Sequence, residues 1–181
     1  DPELLTLDRI FSSEELSLER FGPARWLEDG SGYTILEELK GEKGQGVVKY
    51  EVSSGKREVL VSSRRLVPPG QSTPLTIDDY QWSGDGSLLL IYTNSQRVWR
   101  QKTRGDYWIL DLTSYELIQL GGDTSNSTLM FAKFSPDARQ VAYVRQNNLY
   151  VEDFRSGEIT ALTEDGSKFI INGTSDWVYE E

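Results

Sequence analysis

From residue 22 onward the chain is a succession of brief apolar runs, each closed off by Gly, Asp, Ser or Pro. Tyr33-Thr34-Ile35-Leu36, Leu88-Leu89-Leu90-Ile91-Tyr92, Tyr107-Trp108-Ile109-Leu110 and Val141-Ala142-Tyr143-Val144 are the clearest. Runs this short, rich in β-branched and aromatic residues and bounded by turn formers, read as strands and not as buried helix. Residues 4–21 hold the only plausible helical material. There Leu5, Ile10, Leu16 and Phe21 are apolar, and Ser12-Ser13-Glu14-Glu15 reads as an N-cap followed by an acidic first turn. The pattern predicts an all-β fold preceded by a short helical segment.

The strands recur in a fixed order. An aromatic residue, a short turn containing Asp and then an apolar strand appear as Trp26-Leu27-Glu28-Asp29-Gly30, as Trp82-Ser83-Gly84-Asp85-Gly86 and as Phe134-Ser135-Pro136-Asp137-Ala138. A strand running into a turn and a further strand follows each time: Val48–Val52 into Ser54-Gly55, Trp108–Leu112 into Ser114-Tyr115, Tyr150–Phe154 into Ser156-Gly157. Each repeat thus holds about four strands in roughly 40–55 residues, the size of one β-propeller blade. Asp-Gly suits a tight hairpin because Gly accepts positive φ at little cost. Ala138 stands at the Gly position of the third repeat, which predicts a different turn type or a longer loop there. Trp82 and Phe134 are expected to anchor one blade against the next. Three blades and the start of a fourth do not close a ring, since propellers use about four to eight. The sequence therefore reads as part of a longer propeller, and its last residues, Asp176–Glu181, carry no turn or capping signal.

Composition narrows the chemistry. Asp and Glu number 29 against 19 Lys and Arg, a net charge of -10 that repels polyphosphates and anionic lipid, so nucleic acid is not an expected partner. With 0 Cys and 0 His the chain holds no disulfide, no zinc site of the Cys/His type and no thiol nucleophile. A serine here also lacks its usual general base, and no G-x-S-x-G elbow occurs, so no catalytic residue is assigned. Neither a metal nor a cofactor is called for. Gly41-Glu42-Lys43-Gly44-Gln45-Gly46 lacks the Lys-[ST] and strand-to-helix context of a phosphate cradle and reads as a blade loop. No run reaches the roughly 18 apolar residues of a membrane span, and Asp1-Pro2-Glu3 has no signal-peptide pattern, which leaves localisation open. Two N-x-[ST] triplets, Asn126-Ser127-Thr128 and Asn172-Gly173-Thr174, matter only to a chain that meets a glycosylation pathway.

The order of the repeats and the final run resemble the N-terminal propeller of the dipeptidyl peptidase IV family, in the prolyl oligopeptidase clan. The stretches that carry the likeness are Leu5-Thr6-Leu7-Asp8-Arg9-Ile10-Phe11, Phe134-Ser135-Pro136-Asp137 into Val141–Val144, Asn148-Leu149-Tyr150-Val151, and Ile171-Asn172-Gly173-Thr174-Ser175-Asp176-Trp177-Val178-Tyr179-Glu180-Glu181. The Phe-Ser-Pro-Asp repeat is common among propellers; the final run is long and specific. The resemblance implies that residues 1–181 are the N-terminal part of an eight-bladed propeller joined, in the parent protein, to a C-terminal α/β-hydrolase domain holding a Ser-Asp-His triad. It also implies a serine-type exopeptidase that releases Xaa-Pro or Xaa-Ala dipeptides, a peptide N-terminus as partner, homodimers in many members, and a secreted, periplasmic or membrane-anchored setting. In the family a glutamate pair binds the substrate α-ammonium group and an arginine after a tryptophan binds a substrate carbonyl. On that register Glu181 is the first member of the pair, Glu180 flanks it, and Arg100 of Trp99-Arg100 is the arginine.

Physical chemistry makes those roles reasonable. An α-ammonium group needs about two carboxylates to offset its desolvation, and a fixed anion counts length from the chain end. The planar guanidinium of Arg100 keeps its charge at any working pH and can donate to a carbonyl. The bland alternatives stand beside these readings. Without the resemblance, Glu180-Glu181 is a solvated end, and adjacent strand residues point to opposite faces, which excludes a glycosidase-type carboxylate pair. Arg97, Arg100, Lys102 and Arg104 also read as a solvated hairpin loop, and Trp99 as a packing residue. A non-enzymatic propeller that binds other proteins, or an inactive relative of the family, is the alternative for the chain as a whole.

Overall fold

The computed structural model describes residues 4–12, 15, 22–98 and 100–174. Helix α1, Leu7–Phe11, begins at Thr6, whose Oγ1 accepts from the Arg9 N–H at 3.3 Å, and ends at Ser12, whose N–H donates to the Asp8 carbonyl at 2.9 Å. Thr6 caps α1 because it is extended and has Asp8 in the turn that follows. The first turn expected after Ser12-Ser13 falls mostly on residues outside the described ones. Residues 13–14 and 16–21 lie outside the described residues. No side chain of α1 is buried, and Leu7 and Phe11 are 74% and 80% exposed.

The remainder is all β. Strands β1 (Arg25–Trp26), β2 (Gly32–Glu38), β3 (Gln45–Glu51) and β4 (Arg57–Val61) form one antiparallel meander. After a 3-10 turn at Ser63–Leu66 come β5 (Asp79–Trp82), β6 (Leu88–Gln96), β7 (Arg104–Asp111) and β8 (Leu117–Gln119), then β9 (Leu129–Phe134), β10 (Val141–Arg145), β11 (Asn148–Asp153) and β12 (Glu158–Ala161). These are three four-stranded blades in the predicted order. The described residues after β12, 162–174, carry no strand, so the expected start of a fourth blade is not among the described residues. Blades two and three share a sheet. Trp108, Ile109 and Leu110 of β7 pair with β8, while Arg104 and Gly105, at its other end, pair with Met130 and Leu129 of β9. Among the described residues no helix is long and apolar enough to cross a membrane.

Period-two alternation gives blade two an apolar side chain on each face, so it packs both ways. Leu89, Ile91, Trp108 and Leu110 join Val47 and Val61 of blade one and Leu66 and Ile77 of the connection. Leu88, Leu90, Tyr107 and Ile109 join Leu129, Ala132, Val141, Tyr143 and Phe154 of blade three. Both aromatic anchors serve these seams. The Trp82 indole N–H donates to Thr34 Oγ1 of blade one at 3.1 Å, and Phe134 packs against the second cluster with its ring 6.4 Å from that of Phe154. Their counterpart Trp26, on the far side of blade one, is 66% exposed.

Charged pairs also join the blades. Arg25 of β1 reaches Asp79 of β5 at 2.5 Å, and Arg155 beyond β11 reaches Asp111 of β7 at 3.1 Å. Asp111 is 7% exposed. Burial alone would push its carboxyl up, but the Ser114 and Thr113 N–H groups and the Arg155 guanidinium outweigh this and hold it below the usual range. The Arg65 guanidinium lies over the Tyr115 ring at 4.1 Å, and Glu152, 3% exposed, accepts from the Gly121 N–H at 2.8 Å.

The turn after the first strand of each blade is the same in all three. Gly30, Gly86 and Ala138 each donate an N–H to the residue three back, at 3.0, 2.9 and 2.9 Å, and have φ of 67°, 70° and 54°. Asp29, Asp85 and Asp137 each accept from the N–H two residues on. The different turn expected at Ala138 therefore does not form: Ala138 takes the left-handed conformation itself. The outer turns repeat likewise, with Tyr115 (φ 59°) in the place of Gly55 and Gly157.

Candidate functional site

Arg100 lies at the tip of the long hairpin between β6 and β7. The strands pair in register as far as Thr93 and Asp106, then slip, so that Gln96 next meets Arg104. The slip is a bulge that bends and twists the arm, and polar groups hold it. Asn94, at φ 50°, donates Nδ2 to Asp106 Oδ2 at 2.8 Å; Thr93 Oγ1 donates to the Thr76 carbonyl at 2.6 Å; the Ser95 N–H donates to Asp78 Oδ2 at 3.0 Å. Gly105 is obligatory at the base, because a Cβ there would lie 2.4 Å from the Tyr92 ring and 2.7 Å from the Thr93 carbonyl oxygen. At the tip the Val98 N–H donates to the Gln101 carbonyl at 2.9 Å, and Arg97 Nε to the Arg100 carbonyl at 3.2 Å. The Arg100 side chain is exposed there.

Two adjoining clefts open beside the arm. One, of about 230 Å³, is walled by Asp79, Gln81, Tyr92, Gln101, Lys102 and Lys133 among others. The second, of about 400 Å³, is lined by Pro23, Arg25, Asp78, Asp79, Tyr92, Ser95 and Lys102. Gln101 and Lys102, which follow Arg100 in the chain, are thus cleft walls. The acids are matched by cations: Asp79 by Arg25, and Asp78 by Lys102 at 4.0 Å. The Tyr92 hydroxyl donates to the Lys102 carbonyl at 2.8 Å, and its ring lies 4.8 Å from that of Tyr107. Burial raises both phenols, Tyr107 to about 12 and Tyr92 further, the latter helped by Tyr107, Asp78 and Asp106. Both stay neutral through the working range of pH and serve as walls and hydrogen-bond donors, not as bases. The clefts are walled by charged, amide and aromatic side chains; among the described residues they hold no nucleophile with a base beside it and no cluster of acids that could hold a metal.

Glu180, Glu181 and Trp99 lie outside the described residues. The approach to that end is built with care. The β10–β11 hairpin turns on Gln146 and Asn147, both at positive φ (50° and 61°). Buried Asn148 accepts on Oδ1 from Thr163 Oγ1 at 3.0 Å and from the Gly166 N–H at 2.9 Å. Asn147 donates Nδ2 to the Ser167 carbonyl at 2.9 Å and accepts from the Asn172 N–H at 3.0 Å. A Cβ on Gly173 would stand 2.6 Å from Val144 and 2.7 Å from Leu149. Asn148-Leu149 and Asn172-Gly173, parts of two separate motifs in the sequence, are therefore in contact. Sequence reasoning named Arg100, placed Lys102 only in a basic loop, and did not single out Asp78, Asp79 or Tyr92 as cleft residues. Only the pairing of Asp79 with Tyr92 across β5 and β6 brings these together.

Comparisons with known proteins agree with this architecture. The family model for the dipeptidyl peptidase IV (DPP IV) N-terminal region matches residues 83–181. Dipeptidyl aminopeptidase B of Saccharomyces cerevisiae is 37% identical over 136 residues, 75% of this chain and 16% of that protein. A probable dipeptidyl-aminopeptidase B of Podospora anserina is 31% identical over 160 residues, 86% of this chain and 17% of that one. The crystal structure of Porphyromonas gingivalis dipeptidyl peptidase 4 superposes with a TM-score of 0.81 at 28% identity, over 98% of this chain and 24% of that chain. The chain spans about a sixth of the length of the two fungal relatives.

Proposed function

The chain belongs to the dipeptidyl peptidase IV family, as part of its N-terminal region, and from that membership we propose that it serves a serine-type exopeptidase that removes Xaa-Pro or Xaa-Ala dipeptides. In this reading it is one portion of a propeller that admits the peptide and holds its N-terminus, while a hydrolase domain elsewhere in the parent protein carries out acyl transfer. Glu181, with the carboxylate that follows it in the family pattern, receives the α-ammonium group, and Glu180 flanks it. Arg100 donates to a carbonyl of the bound peptide. The observation that supports this most directly is the bulged β6–β7 arm. It carries an exposed arginine, next in the chain to the cleft-wall residues Gln101 and Lys102, on a scaffold fixed by Asp78, Asp106 and Gly105.

The division of labour follows from the chemistry. A fixed anion at one end and a nucleophile at the other set the number of residues between them. The arginine then orients the carbonyl group so that the scissile bond is presented in one geometry. A charge-assisted hydrogen bond of this kind is worth about 1.5–3 kcal/mol, so Arg100→Ala or Glu181→Ala in the full-length parent should lower kcat/KM for an Xaa-Pro chromogenic peptide by about 10–100-fold. The α-ammonium group titrates near 8. The wild-type activity should therefore fall as pH rises past that value, and Glu181→Ala, which leaves one of the two carboxylates, should weaken this dependence. A parent inert to such peptides, or variants with unchanged kinetics, would leave the propeller a protein-binding module.

A further inference from the structure

The fold treats the two N-x-[ST] asparagines in opposite ways. Asn126 lies between β8 and β9, is exposed, and makes no side-chain hydrogen bond among the described residues. The other two residues of its triplet are fixed to the body. Ser127 is 2% exposed and adopts φ 57°; its N–H donates to Asp106 Oδ1 at 2.5 Å and its Oγ to the Asn94 carbonyl at 2.7 Å. Thr128 Oγ1 donates to the Ser125 carbonyl at 2.8 Å. The turn is held from behind and Asn126 is left facing solvent. Asn172 is the reverse case. It is half-buried, and its Nδ2 donates to Asp165 Oδ1 at 2.9 Å and toward Asn148 Oδ1 at 3.5 Å. Its own N–H is tied to Asn147, and the next residue, Gly173, has no room even for a Cβ.

We propose that Asn126 is an N-glycosylation site of this protein and that Asn172, with the same triplet, is not. The reaction joins Asn126 Nδ2 to the anomeric carbon of a polyprenyl-pyrophosphate-linked oligosaccharide. The anomeric C–O bond breaks, the lipid pyrophosphate leaves with the electron pair, and one Nδ2 proton passes to a base of the transferase. Both triplets can meet such a transferase on an unfolded chain; what separates them is the structure that must form afterwards. A sugar on Asn126 projects into solvent and disturbs no contact. A sugar on Asn172 removes one Nδ2 hydrogen, crowds Asp165 and Asn148, and forces open the loop that Gly173 seals against Val144 and Leu149. Through Asp106 and Asn94, the Asn126 glycan would stand at the root of the arm that carries Arg100.

The test is to send the full-length parent through the secretory pathway of a eukaryotic host and collect the folded, monodisperse fraction. Peptide N-glycosidase in heavy-oxygen water marks each released site, and peptide mapping locates it. The expected result is a labelled Asp at position 126 and an unmodified Asn172. Asn126→Gln should remove that glycan, whereas Thr128→Ser, which keeps the triplet and the hydroxyl, should retain it. An unmodified Asn126, or a glycan on Asn172 in the folded fraction, would overturn the proposal.

Discussion

Ala138 shows how firmly a turn can be imposed on a residue that resists it. Its φ of 54° matches those of Gly30 and Gly86 because the strands on either side and the Asp137 side chain fix the turn. An L-residue there carries about 1–2 kcal/mol of strain, part of which glycine would return as extra freedom of the unfolded chain. Ala138→Gly should therefore stabilise the full-length protein by up to about 1 kcal/mol, read as a raised midpoint in urea. Tyr115→Gly at the corresponding outer turn should gain less, because it also gives up the Arg65 contact, worth about 0.5–1 kcal/mol at an exposed site. The carboxylates of these turns make the fold acid-sensitive. Asp85 accepts from Ser83 Oγ at 2.6 Å and from Ser87 N–H and Oγ at 3.0 and 2.8 Å, which lowers its pKa from 3.8 to about 2. A folded pKa below the unfolded one means that its contribution is intact above about pH 4 and disappears as pH falls toward 2. Asp85→Asn should flatten the decline of stability over that window, measured by urea titration at successive pH values. The missing glycine at 138 was visible in the sequence; the persistence of the turn was not, since it depends on both flanking strands.

At the scale of elements, the hairpins set where the exposed loops stand. Gly105 permits the Tyr92 ring to lie across the base of the β6–β7 arm, so Gly105→Ala should cost about 1–3 kcal/mol through overpacking. It should also shift the arm that bears Arg100, seen as faster hydrogen exchange of residues 93–106. Asn148 is the comparable centre for the chain after β12. Asn148→Ala strips the acceptor from Thr163 and Gly166, a cost of about 1–3 kcal/mol for donors left unsatisfied. Proteolytic nicking within 163–172 should rise while the rest of blade three stays protected. The strands themselves were legible, because runs such as Leu88–Tyr92 combine strand length with turn residues on both sides. The bulge after Thr93 and the cleft of Asp78, Asp79, Tyr92 and Lys102 were not. Register is set by partners distant in sequence, and no local pattern announces it. A short helix lies in the segment expected to hold one, capped by Thr6; the turn expected to open at Ser12-Ser13-Glu14-Glu15 leads into residues outside the described ones.

At the scale of the whole molecule the repeat was the most readable feature, because each blade restates the same aromatic, turn and strand order. The seams were legible only in part: Trp82 and Phe134 could be assigned to them, but the pairing of Asp111 with Arg155 or Arg25 with Asp79 could not. Apolar side chains are left uncovered in the first blade, at Trp26 (66% exposed) and Val52 (57%), and in the chain after β12, at Leu162 (59%) and Phe169 (85%). Residues 1–181 made alone should therefore self-associate with rising concentration in sedimentation velocity, and Trp26→Arg should weaken that association. The sharing of β7 between two blades bears on synthesis as well. When β7 leaves the ribosome, its Arg104–Gly105 end can pair with β6, but the edge that faces blade three has no partner until Leu129 and Met130 follow. At about 5–20 residues per second the nascent chain waits on the order of seconds with that edge bare. A chaperone, or a pause in translation placed well after this point, would find its client in the half-finished second blade.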